Sequence, residues 1–124
     1  MLPPPIKQNI TFLYTQDLVT TRHFYEQNLK LKLVRDQGDC VIYALNEASF
    51  LGFCKRQVIQ EPAPVIITLV SNAVEEWYRF LQHLGVETES APQHNPKYQI
   101  THFFLRDPNG YKIEIQAFDD PLNL

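Results

Sequence analysis

The residues of this chain whose types could do chemistry are few, and the sharpest is Glu114. It stands in Tyr111–Ala117 (YKIEIQA), where Tyr111, Ile113, Ile115 and Ala117 alternate with Lys112, Glu114 and Gln116. If the second face lines a cavity, Glu114 is a carboxylate able to move a proton or anchor a ligand. On an ordinary strand it pairs with Lys112 or Arg106 instead. His102, two residues from Phe104, could act with Glu114, or be a half-buried strand histidine with one backbone partner. Tyr14 offers a hydroxyl from an N-terminal apolar run, as an anchor or simply as core. These three are the catalytic candidates. His94, Lys97 and Tyr98 sit in a polar loop and are candidate rim contacts; His23 and His83 fall on helical stretches and read as surface. Cys40 and Cys54 form neither a CxxC nor a zinc pattern, so they read as reduced core thiols of a cytoplasmic protein.

The elements that must position these groups can be read in order. Asn9–Thr15 is β-rich, and Asp17 is a helix N-cap candidate for a helix reaching Leu29. Leu31–Arg35, Cys40–Leu45 and Ser49–Cys54 follow as strands, giving βαβββ. Pro62 and Pro64 mark a connector. The order then repeats: strand Val65–Val70, a helix capped by Asn72 with Glu75, strand Val86–Glu89, loop Ser90–Tyr98, and a closing hairpin around Asp107-Pro108-Asn109-Gly110. An offset of 55 superposes the halves, with Asp17 on Asn72 and Tyr25 on Phe80. The expected organisation is a leader 1–8, a single domain 9–118 (module one 9–56, connector 57–64, module two 65–118) and a tail 119–124. Trp77 is spaced as helix core.

Composition narrows the function classes. With 124 residues, 44% hydrophobic and 20% charged, the chain has the make-up of a soluble globular protein. Its net charge of −3 and lack of a basic stripe argue against nucleic acid. No apolar run has the length of a membrane span.

Asp17-Leu18, Thr21, Phe24-Tyr25 and Leu29 resemble the first-helix signature of the vicinal oxygen chelate superfamily. This group contains glyoxalase I, bleomycin-resistance proteins, fosfomycin-resistance enzymes and extradiol dioxygenases. Asp107–Glu114 (DPNGYKIE) resembles its closing hairpin. The resemblance implies an α+β fold: two tandem βαβββ modules forming a curved mixed sheet around a cup. Lys30 stands where the family usually has glycine after the first helix.

In the metal-using members four cup-facing side chains bind one divalent ion. The resemblance maps them to Ile10, Leu51, Val65 and Glu114. Three are aliphatic and offer no lone pair, so the usual chelate is not expected, nor any cofactor. The cup face projected from alternation comprises Ile10, Phe12, Tyr14, Ser49, Leu51, Phe53, Val65, Ile67, Leu69, Lys112, Glu114 and Gln116. Its apolar, aromatic character suits a small apolar or aromatic ligand. The expected function is metal-free small-molecule binding, bleomycin-resistance-like, in a cytoplasmic homodimer. The alternative is a glyoxalase- or dioxygenase-like enzyme, a lyase or isomerase, using Glu114 as acid or base or a relocated metal site. A third class, an interaction module pairing through its sheet edges, predicts no ligand cavity.

Overall fold

The computed structural model describes residues 2–57 and 64–122. Most of the expected connector, including Pro62, lies outside the described residues. The chain divides into two compact units, Met1–Glu61 and Pro62–Leu124.

The first unit holds β1 (Asn9–Thr15), α1 (Leu18–Arg22), β2 (Lys32–Asp36), β3 (Cys40–Ala44) and β4 (Ser49–Lys55). Its sheet has the order β1-β4-β3-β2, with β1 parallel to β4 and the other pairs antiparallel. Asp17 caps α1 from an extended backbone, its carboxylate accepting from the Thr20 N–H and hydroxyl. These bonds, the hydroxyl's above all, hold the Asp17 carboxyl below its ordinary range. The expected single α-helix to Leu29 is instead α1 followed by a wider π-helical stretch, His23–Asn28. There Leu29 N–H reaches back to the Phe24 carbonyl and Leu31 N–H to that of Tyr25. The widening seats Tyr25 fully buried against Phe53 (ring centroids 4.5 Å) and Tyr43 (5.8 Å). The Tyr43 hydroxyl donates to Glu26, which Arg22 also grips while reaching Asp36. Burial first, and then Glu26, push the Tyr43 hydroxyl upward.

Lys30 ends this helical segment at φ 57°. Its Cβ crowds the backbone there, as glycine would not. Lys30→Gly is therefore expected to stabilise the chain by about 1 kcal/mol. Urea unfolding would register this as a higher midpoint at an unchanged slope; a lower midpoint contradicts it.

The second unit holds β5 (Ile66–Val70), α2 (Val74–His83), β6 (Gln93–Asn95), β7 (Ile100–Arg106) and β8 (Lys112–Phe118), with sheet order β5-β8-β7-β6. Again the first strand runs parallel to the last. Two sequence expectations need correction. The third element of this module is β6, inside the expected loop, rather than Val86–Glu89. The helix cap is Ala73 rather than Asn72, and the Ser71 hydroxyl takes the Ala73 N–H. Helix α2 buries Val74 and Leu81, sets Tyr78 edge-on to Phe103, and ends at Gly85 with φ 75°. Trp77, expected as helix core, is half-buried, and Leu84 is 39% exposed.

These shifts revise the repeat. Buried Tyr25 corresponds to buried Leu81 and cap Asp17 to cap Ala73, an offset of 56 rather than 55. One residue in a strand exchanges its two faces, and this decides the site. The thiol expectation is also corrected: Cys40 and Cys54 face each other across β3 and β4 and are joined as a disulfide.

Candidate functional site on the open face of the second sheet

Each sheet has one face against its helix and one turned away. In the second unit Phe103 meets Tyr78 of α2, and Phe103 is in register with Ile115, which pairs with Leu69. Ile67, Ile113 and Leu105 form the next row of that helix-packed face. The open face then carries Ile66, Thr68 and Val70 on β5, Lys112, Glu114 and Gln116 on β8, and His102, Phe104 and Arg106 on β7.

Glu114 sits at the centre of this face, 8% exposed, between Thr68 and Phe104 in register. The Thr68 hydroxyl donates to one carboxylate oxygen at 2.9 Å. His102 Nδ1 lies 2.6 Å from the other. An ionised carboxylate only accepts, so Nδ1 carries the hydrogen in this pair. His102 Nε2 has no hydrogen-bond partner among the described residues, yet no unpartnered side-chain nitrogen or oxygen there is buried. That nitrogen is therefore not fully buried, on a side chain 17% exposed. The His102 ring is edge-on to Phe104, and Lys112 Nζ lies 4.1 Å from the Phe104 centroid. The alternative partners considered for Glu114 are engaged elsewhere: Lys112 and Arg106 both reach Glu89. Fixed carboxylate, oriented imidazole and a reachable nitrogen are what a carboxylate–histidine proton-transfer pair requires.

In the first unit the open face carries Ile10, Phe12 and Tyr14, between 45% and 50% exposed, beside Phe50, Gly52 and Cys54. Arg56 stacks over Tyr14 at 4.5 Å. Leu51 and Phe53, projected into the cup, lie on the other face: Phe53 touches Tyr25, and Leu51 shares its side of β4. Ile67 and Leu69 likewise face α2, and Val65 precedes β5. Thr68, Phe104, Phe50 and Gly52 were missed, because alternation gives a strand's two faces but not which one the helix covers. Of the residues projected as ligand contacts, Ile10, Phe12, Tyr14, Glu114 and Gln116 stand on open faces.

The corrected repeat tests the divalent ion implied by the resemblance. Thr68 and Glu114 correspond to Phe12 and Gly52. A Cβ on Gly52 would lie 2.5 Å from two Phe12 ring carbons, so the ring rests where Glu114 has its side chain in the second sheet. Neither pair is a divalent donor set: in the first sheet a phenyl ring and a glycine bring no ligand atom, and in the second one carboxylate with a hydroxyl already donating to it is too few. Among the described residues no three His, Cys, Asp or Glu side chains cluster suitably for a metal. These residues do not fit the ion.

Other candidates fall outside this face. His94 pairs with Asp119 at 2.8 Å, Lys97 stacks on Tyr98, and His23 and His83 are exposed on helical segments. A cavity of about 240 Å³ in the second unit is lined by Val86, Glu87, Thr88, Glu89, Leu105 and Arg106, and includes none of the projected ligand contacts.

Comparison with known proteins agrees with the architecture. A profile of the Glyoxalase/Bleomycin resistance protein/Dioxygenase superfamily matches residues 7–115, and the chain belongs to that superfamily. Among solved structures it is similar to a glyoxalase/bleomycin resistance protein/dioxygenase from Nocardioides (TM-score 0.80, 19% identity, 100% of this chain and 92% of that one). It is also similar to lactoylglutathione lyase from Agrobacterium tumefaciens (0.73, 21%, 93% and 96%) and to a virulence protein from Salmonella typhimurium (0.71, 19%, 95% and 99%). At such identities the likeness is one of fold. No curated protein matches the sequence. No helix among the described residues is long and apolar enough to cross a membrane.

Proposed function

We propose that this superfamily member binds a small apolar or aromatic molecule without the divalent ion of the metal-using members. In this reading it is bleomycin-resistance-like in architecture, a homodimer and cytoplasmic. The observation that carries it is Gly52 beneath the Phe12 ring, at the position corresponding to Glu114. The open face of the first sheet supplies apolar and aromatic surface through Ile10, Phe12 and Tyr14, and that of the second sheet carries the polar groups Glu114 and Gln116. The test is elemental analysis of the purified chain by mass spectrometry, with a thermal-shift screen of aromatic ligands. Expected are no stoichiometric divalent metal, no effect of EDTA on Tm, and ligands that raise it. A tightly bound divalent ion at one per chain overturns the reading.

A second reading, a lyase or isomerase, is favoured by the 2.6 Å contact between His102 and Glu114. Glu114 would hold the imidazole in one tautomer and leave Nε2 to take a proton from the substrate. For a substrate found by screening, His102→Gln and Glu114→Gln are each expected to cost about 10²–10⁴-fold in kcat/KM. The double variant should cost little more than either, because the two act as a unit. Unchanged turnover in either single variant rejects the assignment.

A further inference from the structure

We propose that Cys40 and Cys54 form a reversible thiol–disulfide exchange site on the open face of the first sheet, reacting with small disulfides of the glutathione class and with dithiols. Four observations carry it. The two cysteines are in register on antiparallel strands, with Cα atoms 4.1 Å apart, so neither form requires a shift of register. The ladder is closed around them by backbone bonds, Gln37 N–H to the Cys40 carbonyl and Lys55 N–H to that of Asp39, so the hairpin does not depend on the covalent link. Along β4 the helix-packed residues are Leu51 and Phe53, while Cys54 alternates away from the helix and Cys40 opposite it is half-buried. Cys54 is itself buried at 8% exposed, so Cys40, on the face away from the helix, is the sulfur a reagent reaches. Arg56 stacks over Tyr14, the parallel partner of Cys54. This cation stands on the face that carries the pair, where a thiolate performs the exchange.

The chemistry balances with the small disulfide as oxidant. The Cys40 thiolate, the more accessible, attacks one sulfur of RSSR; that S–S bond breaks and the first RS⁻ leaves. The Cys54 thiolate then attacks the Cys40 sulfur of the mixed disulfide, expelling the second RS⁻. Two electrons pass from the cysteine pair to the reagent, and the two thiol protons end on two RSH. A dithiol reverses both steps. In a reducing compartment such a pair is a sensor or transient catalyst rather than a permanent staple.

The test equilibrates the full chain in glutathione buffers of graded GSSG/GSH ratio, alkylates with a maleimide and reads intact mass. Both cysteines of the folded chain should alkylate after dithiothreitol. After glutathione disulfide neither should, with the mass lower by two hydrogens and Tm higher by roughly 10 °C. The double variant Cys40→Ser/Cys54→Ser should lose the redox dependence of Tm, and Cys54→Ser alone should accumulate one glutathione on Cys40. A disulfide that resists dithiothreitol until denaturant is added overturns the proposal. So do cysteines that stay alkylatable in glutathione disulfide, or a Cys54→Ser chain that takes up no glutathione.

Discussion

Phe53→Ala lowers the stability of the chain by about 3–5 kcal/mol. The loss appears as a drop in Tm of roughly 10–15 °C. Phe53 is fully buried, its ring 4.5 Å from that of Tyr25 and 6.4 Å from that of Tyr43 on β3. Truncation removes a ring's worth of apolar contact and leaves a cavity among other aromatics, which close packing prevents from collapsing. Phe12→Ala is the matched control. Phe12 is on the same sheet, 46% exposed on the open face, and should cost no more than about 1 kcal/mol. For a ligand found by thermal shift, Phe12→Ala should weaken binding and Phe53→Ala should not, measured below the variant's Tm. If Phe53→Ala proves as mild as Phe12→Ala while weakening binding, the two faces of β4 have been exchanged.

Asp107→Ala is expected to cost on the order of 3 kcal/mol. Asp107 is 4% exposed in the turn between β7 and β8. One carboxylate oxygen accepts the Asn109 N–H at 2.9 Å and the buried Tyr111 N–H at 2.8 Å. The backbone closes the turn through Gly110 N–H to the Asp107 carbonyl, with Gly110 at φ 88°. Alanine leaves both side-chain-bound donors without their acceptor, and the buried one cannot reach water. Asp107→Asn keeps an acceptor oxygen in place and should recover about half of the loss. Chemical denaturation of the three chains measures the series. Equal stability of the alanine variant and the parent would mean that the backbone closure alone holds the turn.

The same hairpin shows how far the residues speak for themselves. Asp-Pro-Asn-Gly between β-rich runs admits little but a tight turn, so the turn and the two strands were legible locally. Asp17 as a cap was legible for the same reason, whereas the left-handed backbone at Lys30 was signalled only by the glycine that the resembled family usually carries there. The short β6 was not legible, since Gln93-His94-Asn95 has no strand signature and pairs only because β7 lies beside it.

Sequence by itself determined the superfamily, through the motifs Asp17–Leu29 and Asp107–Glu114 that resemble it, and the two βαβββ modules, which follow from local periodicity and turn residues. Only the tertiary structure decided which face of each strand is covered, since that depends on where the helix docks, and a one-residue change in the repeat reverses it. That choice moved Leu51, Phe53 and Ile67 onto the helix-packed faces and put Gly52 beneath Phe12. It also set Cys40 against Cys54 and brought His102 to Glu114, contacts between residues distant in sequence that only strand register creates.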